Sequence, residues 1–377
     1  MATERSEIPP DVVLNDMPIN QVVDAAADLL KAPFPYMGGK ATIAPVIWTV
    51  LGDINHYIEP FCGSAVVTLQ RPNYDPARHV ETINDADGMI ANVWRAIQHD
   101  PDAVAKWCDW PVSHIDLIAR KAALNAAYAE LVARMTADDT YYDTKLAGYY
   151  IWAASCWIGN GLVRPGQRPR LSRAGTGVHA KGQRPHLSHA GMGVQEPYST
   201  NLYAWFRQLS ERLRYVRTIC GDWRRVCGGN WQKGPGRPVG IFFDPPYGKV
   251  ANRDPGCYTE DSQDVAQEVQ GWCRGRASDP DYRIVLAGYY DEHKNLLDEG
   301  WRMHRWSAGG GYGGTARSGS KTQGQINRHK ETLFFSPHCL PLARLKQGEL
   351  FDGSQDCSAT GESTDAGQGG QGRGVFG

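Results

Sequence analysis

An acid, two prolines and a tyrosine stand together at Asp244-Pro245-Pro246-Tyr247, directly after the apolar run Val239-Gly240-Ile241-Phe242-Phe243. The run is short and bounded by turn-forming residues, which predicts a buried strand. Proline has no backbone N–H, so a strand ladder cannot continue through Pro245 and Pro246. The turn therefore holds a carboxylate, a proline carbonyl and a flat ring at the carboxyl end of a strand. In open α/β sheets, ligands bind at that end. Such a trio suits a planar ring that bears an amino group: the oxygens accept from the NH2 and the aromatic face stacks on the ring. The plain alternative for four isolated residues is a strand that ends in a proline turn.

Three further segments carry chemistry upstream. Tyr36-Met37-Gly38-Gly39-Lys40 sets a lysine beside a glycine pair that permits a tight turn. His56-Tyr57-Ile58-Glu59 predicts a strand, Pro60-Phe61-Cys62-Gly63-Ser64-Ala65 a turn, and Val66-Val67-Thr68-Leu69 the start of a helix. Strand, glycine turn and helix form the cofactor-binding beginning of a Rossmann-like unit. His79–Ile83 predicts a second strand that ends at Asn84-Asp85. An acid about twenty residues after the glycine turn is where a ribose hydroxyl is held.

These segments, in this order, resemble the Dam-type DNA adenine-N6 methyltransferases. The resemblance rests on Tyr36–Lys40, Glu59-Pro60-Phe61-Cys62-Gly63, Asn84-Asp85 and Asp244–Tyr247, and covers roughly residues 33–100 and 200–337. It implies S-adenosylmethionine as cofactor. Tyr36 and Lys40 would bind it, Glu59, Phe61 and Gly63 would form the loop on its methionine side, and Asp85 would hold its ribose. Asp244, Pro245 and Tyr247 would be catalytic, with Asp244 also at the cofactor. Asp222, before the catalytic strand, is a candidate acceptor for the cofactor's adenine amino group, an ordinary helix N-cap being the alternative. One departure is Ala65, where the family often has a second glycine, so a slightly altered loop is expected. Cys156–Arg164 resembles the family's target-recognition segment, and Asn327–Glu331 loosely resembles its closing motif.

The chemistry that the resemblance implies is methyl transfer to an exocyclic amine. The adenine amino lone pair is delocalised into the ring, so the nitrogen is a poor nucleophile. Hydrogen bonds from its two N–H groups to Asp244 and the Pro245 carbonyl favour a pyramidal nitrogen and aim it for in-line displacement. Tyr247 would stack on the base, which must be rotated out of the duplex. Neither a metal nor a cysteine nucleophile is required. An aspartate at 244, where cytosine-N4 enzymes more often carry serine, favours adenine over cytosine.

The expected fold is α/β: a Rossmann-like sheet of about seven strands with an inserted, largely helical target-recognition domain. Helices are expected over Gly88–Asp100, Ile115–Met135, Tyr141–Trp157, Asn201–Arg214 and, as an exposed helix, Asp261–Arg274. Strands are expected at Tyr215–Cys220, Arg283–Ala287, Trp301–Trp306 and Glu331–Phe335. The domains divide as a leader over 1–30, the core's N-terminal part over 31–105, the insertion over 106–200, the core's C-terminal part over 201–342 and a disordered tail over 343–377.

Inside the insertion, Gly166–Val178 recurs as Gly182–Val194, and no Asp or Glu occurs from Thr144 to Gln195. Arg164, Arg168, Arg170, Arg173, Lys181 and Arg184 therefore lack local counter-charge and could lie along DNA phosphates. A solvated loop is the alternative. The chain's net charge is −1, so a polyanion partner needs such a local patch. Nine cysteines without a Cys-x-x-Cys pair, no apolar run of membrane-spanning length and no secretory leader point to a reducing cytoplasm without membrane or structural metal. The partner expected is double-stranded DNA with a flipped adenine, and a restriction endonuclease partner is left open. Alternatives are methylation of RNA adenine or DNA cytosine N4, or a catalytically idle nucleic-acid-binding module.

Overall fold

The structure is a computed structural model that describes residues 30–36, 38–111, 113–156, 162, 198–228, 237–246, 264–306 and 331–342. The chain divides into two units, 1–340 and 341–377, and the first carries everything below.

Seven strands form one sheet: β1 His56–Glu59, β2 Val80–Asp85, β3 Arg217–Cys220, β4 Val239–Phe243, β5 Tyr282–Tyr289, β6 Arg302–Arg305 and β7 Glu331–Phe335. Their order is β3-β2-β1-β4-β5-β7-β6. The pairs from β3 to β5 are parallel, whereas β7 runs antiparallel to both β5 and β6. The order reverses between β1 and β4, which makes a crevice at the carboxyl ends of those strands. The sheet is compatible with a Rossmann-like methyltransferase fold.

Local sequence explains the elements. In β4 every residue is buried, as a central parallel strand covered on both faces requires. The glycine within it, Gly240, sits where a Cβ would collide with Ile54, so helix α1 (Ala44–Leu51) and its following loop pack directly on the strand. Helix α2 (Val66–Leu69) follows the turn after β1, and α3 (Gly88–His99) starts at Asp87, whose side chain accepts from Met89 N at 2.8 Å, a standard N-cap. Asp100 ends α3 and caps α4 (Pro101–Cys108) by accepting from Ala103 N, with Pro101 at the first helical position. Ser113 caps α5 (His114–Ala137), and α6 (Thr144–Cys156) and α7 (Tyr198–Leu213) follow.

Two apolar clusters hold the layers on the sheet. One joins Ile83 of β2 to Trp94 of α3, Leu124 of α5, Trp152 of α6 and Phe206 of α7. The other joins Ile58, Ile241, Phe243, Ile284 and Phe334 of the sheet to Val226 of α8 (Arg224–Cys227) and Val269 and Cys273 of α9 (Val265–Arg274). Removing a large side chain from either cluster should cost about 2–5 kcal/mol. Helix α9 is half-sunk rather than exposed, because Ala266, Val269, Gln270 and Cys273 line one buried face. Helices α5 and α6, expected in the insertion, share their cluster with α3, α4 and α7. The repeat with its Arg164, Arg168, Arg170, Arg173, Lys181 and Arg184, the leader up to residue 29 and the tail from 343 lie outside the described residues.

Candidate active site

The crevice at the β1/β4 reversal opens into a cavity of about 420 Å³. Of the residues singled out in the sequence, Tyr36, Lys40, Glu59, Phe61, Asp85, Asp222 and Asp244 line it. Gly63 borders it through its neighbours, Pro245 is buried behind Asp244, and Tyr247 lies outside the described residues. The four acids expected at the site come from the carboxyl ends of different strands: Glu59 closes β1, Asp85 closes β2, Asp222 follows β3 and Asp244 follows β4. Parallel strands all end on the same side, so this convergence follows from topology.

Glu59 is buried, with 2% of its surface exposed. Its Oε2 accepts from Thr68 N at 3.1 Å, Thr68 Oγ1 at 2.5 Å and Tyr57 Oη at 3.2 Å. No described residue bonds Oε1. Burial pushes the carboxyl up to about 8, against the pull of those hydrogen bonds, and the charge of Asp244 adds to the rise. A carboxylate in this position is costly unless a cation meets it.

Asp85 is spoken for on both oxygens. Oδ2 accepts from Gly63 N and Oδ1 from Asp87 N, each at 2.9 Å. It therefore ties the glycine turn after β1 to the turn that starts α3. Burial first, and then the neighbouring charge of Asp87, raises it to about 7. Asn84 adds a second tie, donating to the carbonyls of Pro60 at 2.9 Å and Gly221 at 3.0 Å. Three strand ends are thus locked together beneath the cavity.

The glycine turn shows why its residue types matter. Gly63 has φ +45° and its Cα faces the Tyr36 ring so closely that a Cβ there would overlap the ring. Trp94 Nε1 donates to the Gly63 carbonyl at 2.9 Å. Ala65 also adopts a left-handed conformation, φ 48° and ψ 26°. That is the conformation that glycine takes without a Cβ penalty, so the alanine costs about 1–2 kcal/mol. The backbone keeps the turn despite the substitution, and the methyl is sealed in the core.

Asp244 faces Lys40, whose Nζ lies 2.8 Å from Oδ2. The same ammonium donates to the Gly38 carbonyl at 2.6 Å. Lys40 is 3% exposed in its side chain and Asp244 21%. The Gly-Gly-Lys segment thus reaches across the crevice and fixes the carboxylate of the proline turn. Sequence spacing does not reveal this pair, because 204 positions separate its members. Asp222 makes a local turn: it accepts from Arg224 N at 2.9 Å and pairs with the Arg224 guanidinium at 3.0 Å. It both lines the cavity and starts α8. Ser64, Asp87 and Trp223 also line the cavity and were not singled out. Asp87 and Trp223 each adjoin a named turn, and that adjacency was their one sequence signal.

Among the described residues, no three of His, Cys, Asp and Glu come together to hold a metal, and no helix is long and apolar enough to cross a membrane. Cys62, Cys108, Cys156, Cys227, Cys273 and Cys339 are buried, and burial raises their thiols, so none of these is poised as a thiolate.

A search among curated proteins gives no match for this chain. Residues 36–126 match the family model of D12 class N6 adenine-specific DNA methyltransferase. That stretch runs from Tyr36 into α5 and holds Lys40, Glu59, Gly63 and Asp85. Over residues 36–126 the chain is thus similar to the D12 class N6 adenine-specific DNA methyltransferases.

Proposed function

We propose that the chain is a site-specific DNA methyltransferase that acts on an adenine rotated out of the duplex, with the 420 Å³ cavity as its cofactor site. The observation that carries this is the placement of Asp244. It stands at the β1/β4 reversal, paired to Lys40 at 2.8 Å, and shares one cavity with Glu59 and Asp85.

The donor and acceptor set fits S-adenosylmethionine. Glu59 Oε1 offers an acceptor for the α-ammonium of the methionine portion. Asn84 Oδ1 is buried without a partner among the described residues, and Asp85 stands beside it at the β2 terminus, where ribose hydroxyls are held. Asp222 and Trp223 line the same cavity and are assigned to the cofactor's adenine, and the ring of Phe61 supplies an apolar wall. When bound, the cofactor supplies an electrophilic methyl on a sulfonium.

The chain's own residues do the rest. The Asp244 carboxylate and Pro245 carbonyl accept hydrogen bonds from the two N6 N–H groups and orient the nitrogen lone pair. Lys40 fixes the Asp244 carboxylate so that the orientation exists before the base arrives. Tyr247 is assigned to stack on the flipped base. Residues 106–200 are assigned to target recognition, with Arg164, Arg168, Arg170, Arg173, Lys181 and Arg184 on phosphates or base edges. The cytoplasm is the proposed location, and a metal has no assigned role.

The test is methylation of mixed-sequence duplex DNA with labelled cofactor, followed by digestion to nucleosides and mass spectrometry. N6-methyladenine is the expected product. Methylcytosine as the sole product, or methylation of RNA alone, would overturn the assignment.

A further inference from the structure

A second cavity, of about 490 Å³, lies between α5 and α6 and shares no lining residue with the one at Asp244. Arg120 of α5 lines it although only 4% of that residue is exposed. Its guanidinium is caged by three rings: Cζ lies 5.0 Å from the centroid of Trp110 and 4.4 Å from those of Tyr149 and Trp152. Among the described residues its hydrogen bond runs from Nη1 to the Trp107 carbonyl, at 2.8 Å, and no carboxylate lies within ion-pair distance. A guanidinium has five N–H donors, and none of the Arg120 nitrogens is both sealed and unpartnered. The unused donors therefore open onto the cavity.

Lys145, near the start of α6, stands on the same wall. Its Nζ is 5.5 Å from the Tyr149 centroid and 5.3 Å from that of Trp107, without a carboxylate partner among the described residues. Three acids also line the cavity, and each is engaged. Asp116 accepts from Trp110 Nε1 at 3.0 Å, Asp143 caps α6 through Leu146 N at 2.8 Å, and Glu130 lies 4.0 Å from Arg134. A buried cation without a carboxylate in ion-pair contact is costly, and rings offset part of that cost. An anion would repay the rest. Trp110, 41% exposed at the rim, presents a flat apolar face, and Ala119, Ala123 and Ala127 form a smooth floor. The volume is within the usual range for small-ligand sites.

We propose that this cavity binds a nucleotide unit, its phosphate on Arg120 and Lys145 and its base against Trp110. The unit is either a free mononucleotide or one residue of a nucleic-acid strand; the chemistry is the same for both. The proposal does not depend on methyl transfer at Asp244.

Calorimetry on the full chain tests it, with deoxyadenosine monophosphate and a single-stranded tetranucleotide titrated separately in the presence of saturating S-adenosylhomocysteine. At least one should bind, at least about tenfold more weakly in Arg120→Gln, Lys145→Gln and Trp110→Ala. Lys145 and Trp110 are exposed, so their variants decide the matter if Arg120→Gln melts early. Binding of the mononucleotide assigns a free nucleotide; binding of the tetranucleotide alone assigns a nucleic-acid strand. Failure of both to bind the parent, or unchanged affinity in Lys145→Gln and Trp110→Ala, overturns the proposal. Loss of binding whenever the homocysteine analogue is present would place the ligand in the Asp244 cavity and overturn it as well.

Discussion

Glu59→Gln separates the electrostatics of the cavity from its shape. The amide keeps an oxygen that can accept from Thr68 N, Thr68 Oγ1 and Tyr57 Oη, the three donors now on Oε2. It replaces the cavity-facing oxygen by an NH2 group that donates. A cofactor ammonium would then lose a charged hydrogen bond worth about 1.5–3 kcal/mol, or about 10–150-fold in affinity. The parent carboxyl sits at about 8 because of burial, so binding an ammonium against the ionised form must expel a proton. Near pH 6 that deprotonation costs about 2.7 kcal/mol, at about 1.4 kcal/mol for each unit below the folded value. Affinity of the parent for S-adenosylhomocysteine should therefore rise about fiftyfold from pH 6 to pH 8 and level off above, at about a hundredfold in all. The amide variant should bind weakly with a flat profile over that range. Stability runs the other way. The folded carboxyl lies above its unfolded value, so its stabilising share is present below about pH 4.5 and is lost as pH rises through about 8. The variant lacks that loss, and its melting temperature should fall less than the parent's between those limits. Calorimetry across the pH range and parallel thermal melts provide the readout. A parent affinity independent of pH, or an amide variant within twofold of the parent, would refute the placement of a cationic ligand at Glu59.

Asp244→Ala should abolish methyl transfer while the fold persists, and Lys40→Met should lower turnover by about 10²-fold or more, because it frees a carboxylate that must be positioned beforehand. Single-turnover rates beside thermal melts check both; an active Asp244→Ala would sink the mechanism. Asp85→Ala should weaken the cofactor and also cost about 1–3 kcal/mol of stability, since Gly63 N and Asp87 N both lose their acceptor; denaturant unfolding against cofactor titration separates the two effects. Deleting Gly182–Val194 should weaken DNA binding more than cofactor binding and flatten the salt dependence by about one unit of slope per lost phosphate contact, and an unchanged slope would make the repeat a solvated loop.

Much of the sheet was legible in the sequence because its central strands are short runs closed by chemically distinctive turns. His56–Glu59, Val239–Phe243 and Glu331–Phe335 appear as strands over those same residues. Helix α4 was not foreseen: its capping aspartate, Asp100, also terminates α3, so no loop composition marks the break. Ala65 was visible as a departure from glycine, but its left-handed backbone was not, since one sequence records a residue type and not the conformation its neighbours impose. The acids of the cavity were foreseen singly, through strand ends and motif order.

What the sequence determined by itself was the chemistry available at each strand terminus: Glu59, Asp85, Asp222 and Asp244 each follow a hydrophobic run, and local composition suffices to show that. What only the tertiary structure decided was which of these groups meet, and in what state. Lys40, in the turn before α1, meets Asp244 at the carboxyl end of β4. Asp85 gives both oxygens to backbone N–H groups because the turns after β1 and β2 close over each other. Glu59 is held near neutral by burial beneath a helix turn. Arg120 is caged by two rings of α6 and one from the loop between α4 and α5. Proximity and desolvation are properties of packing across long sequence separations, and pattern along the chain does not carry them.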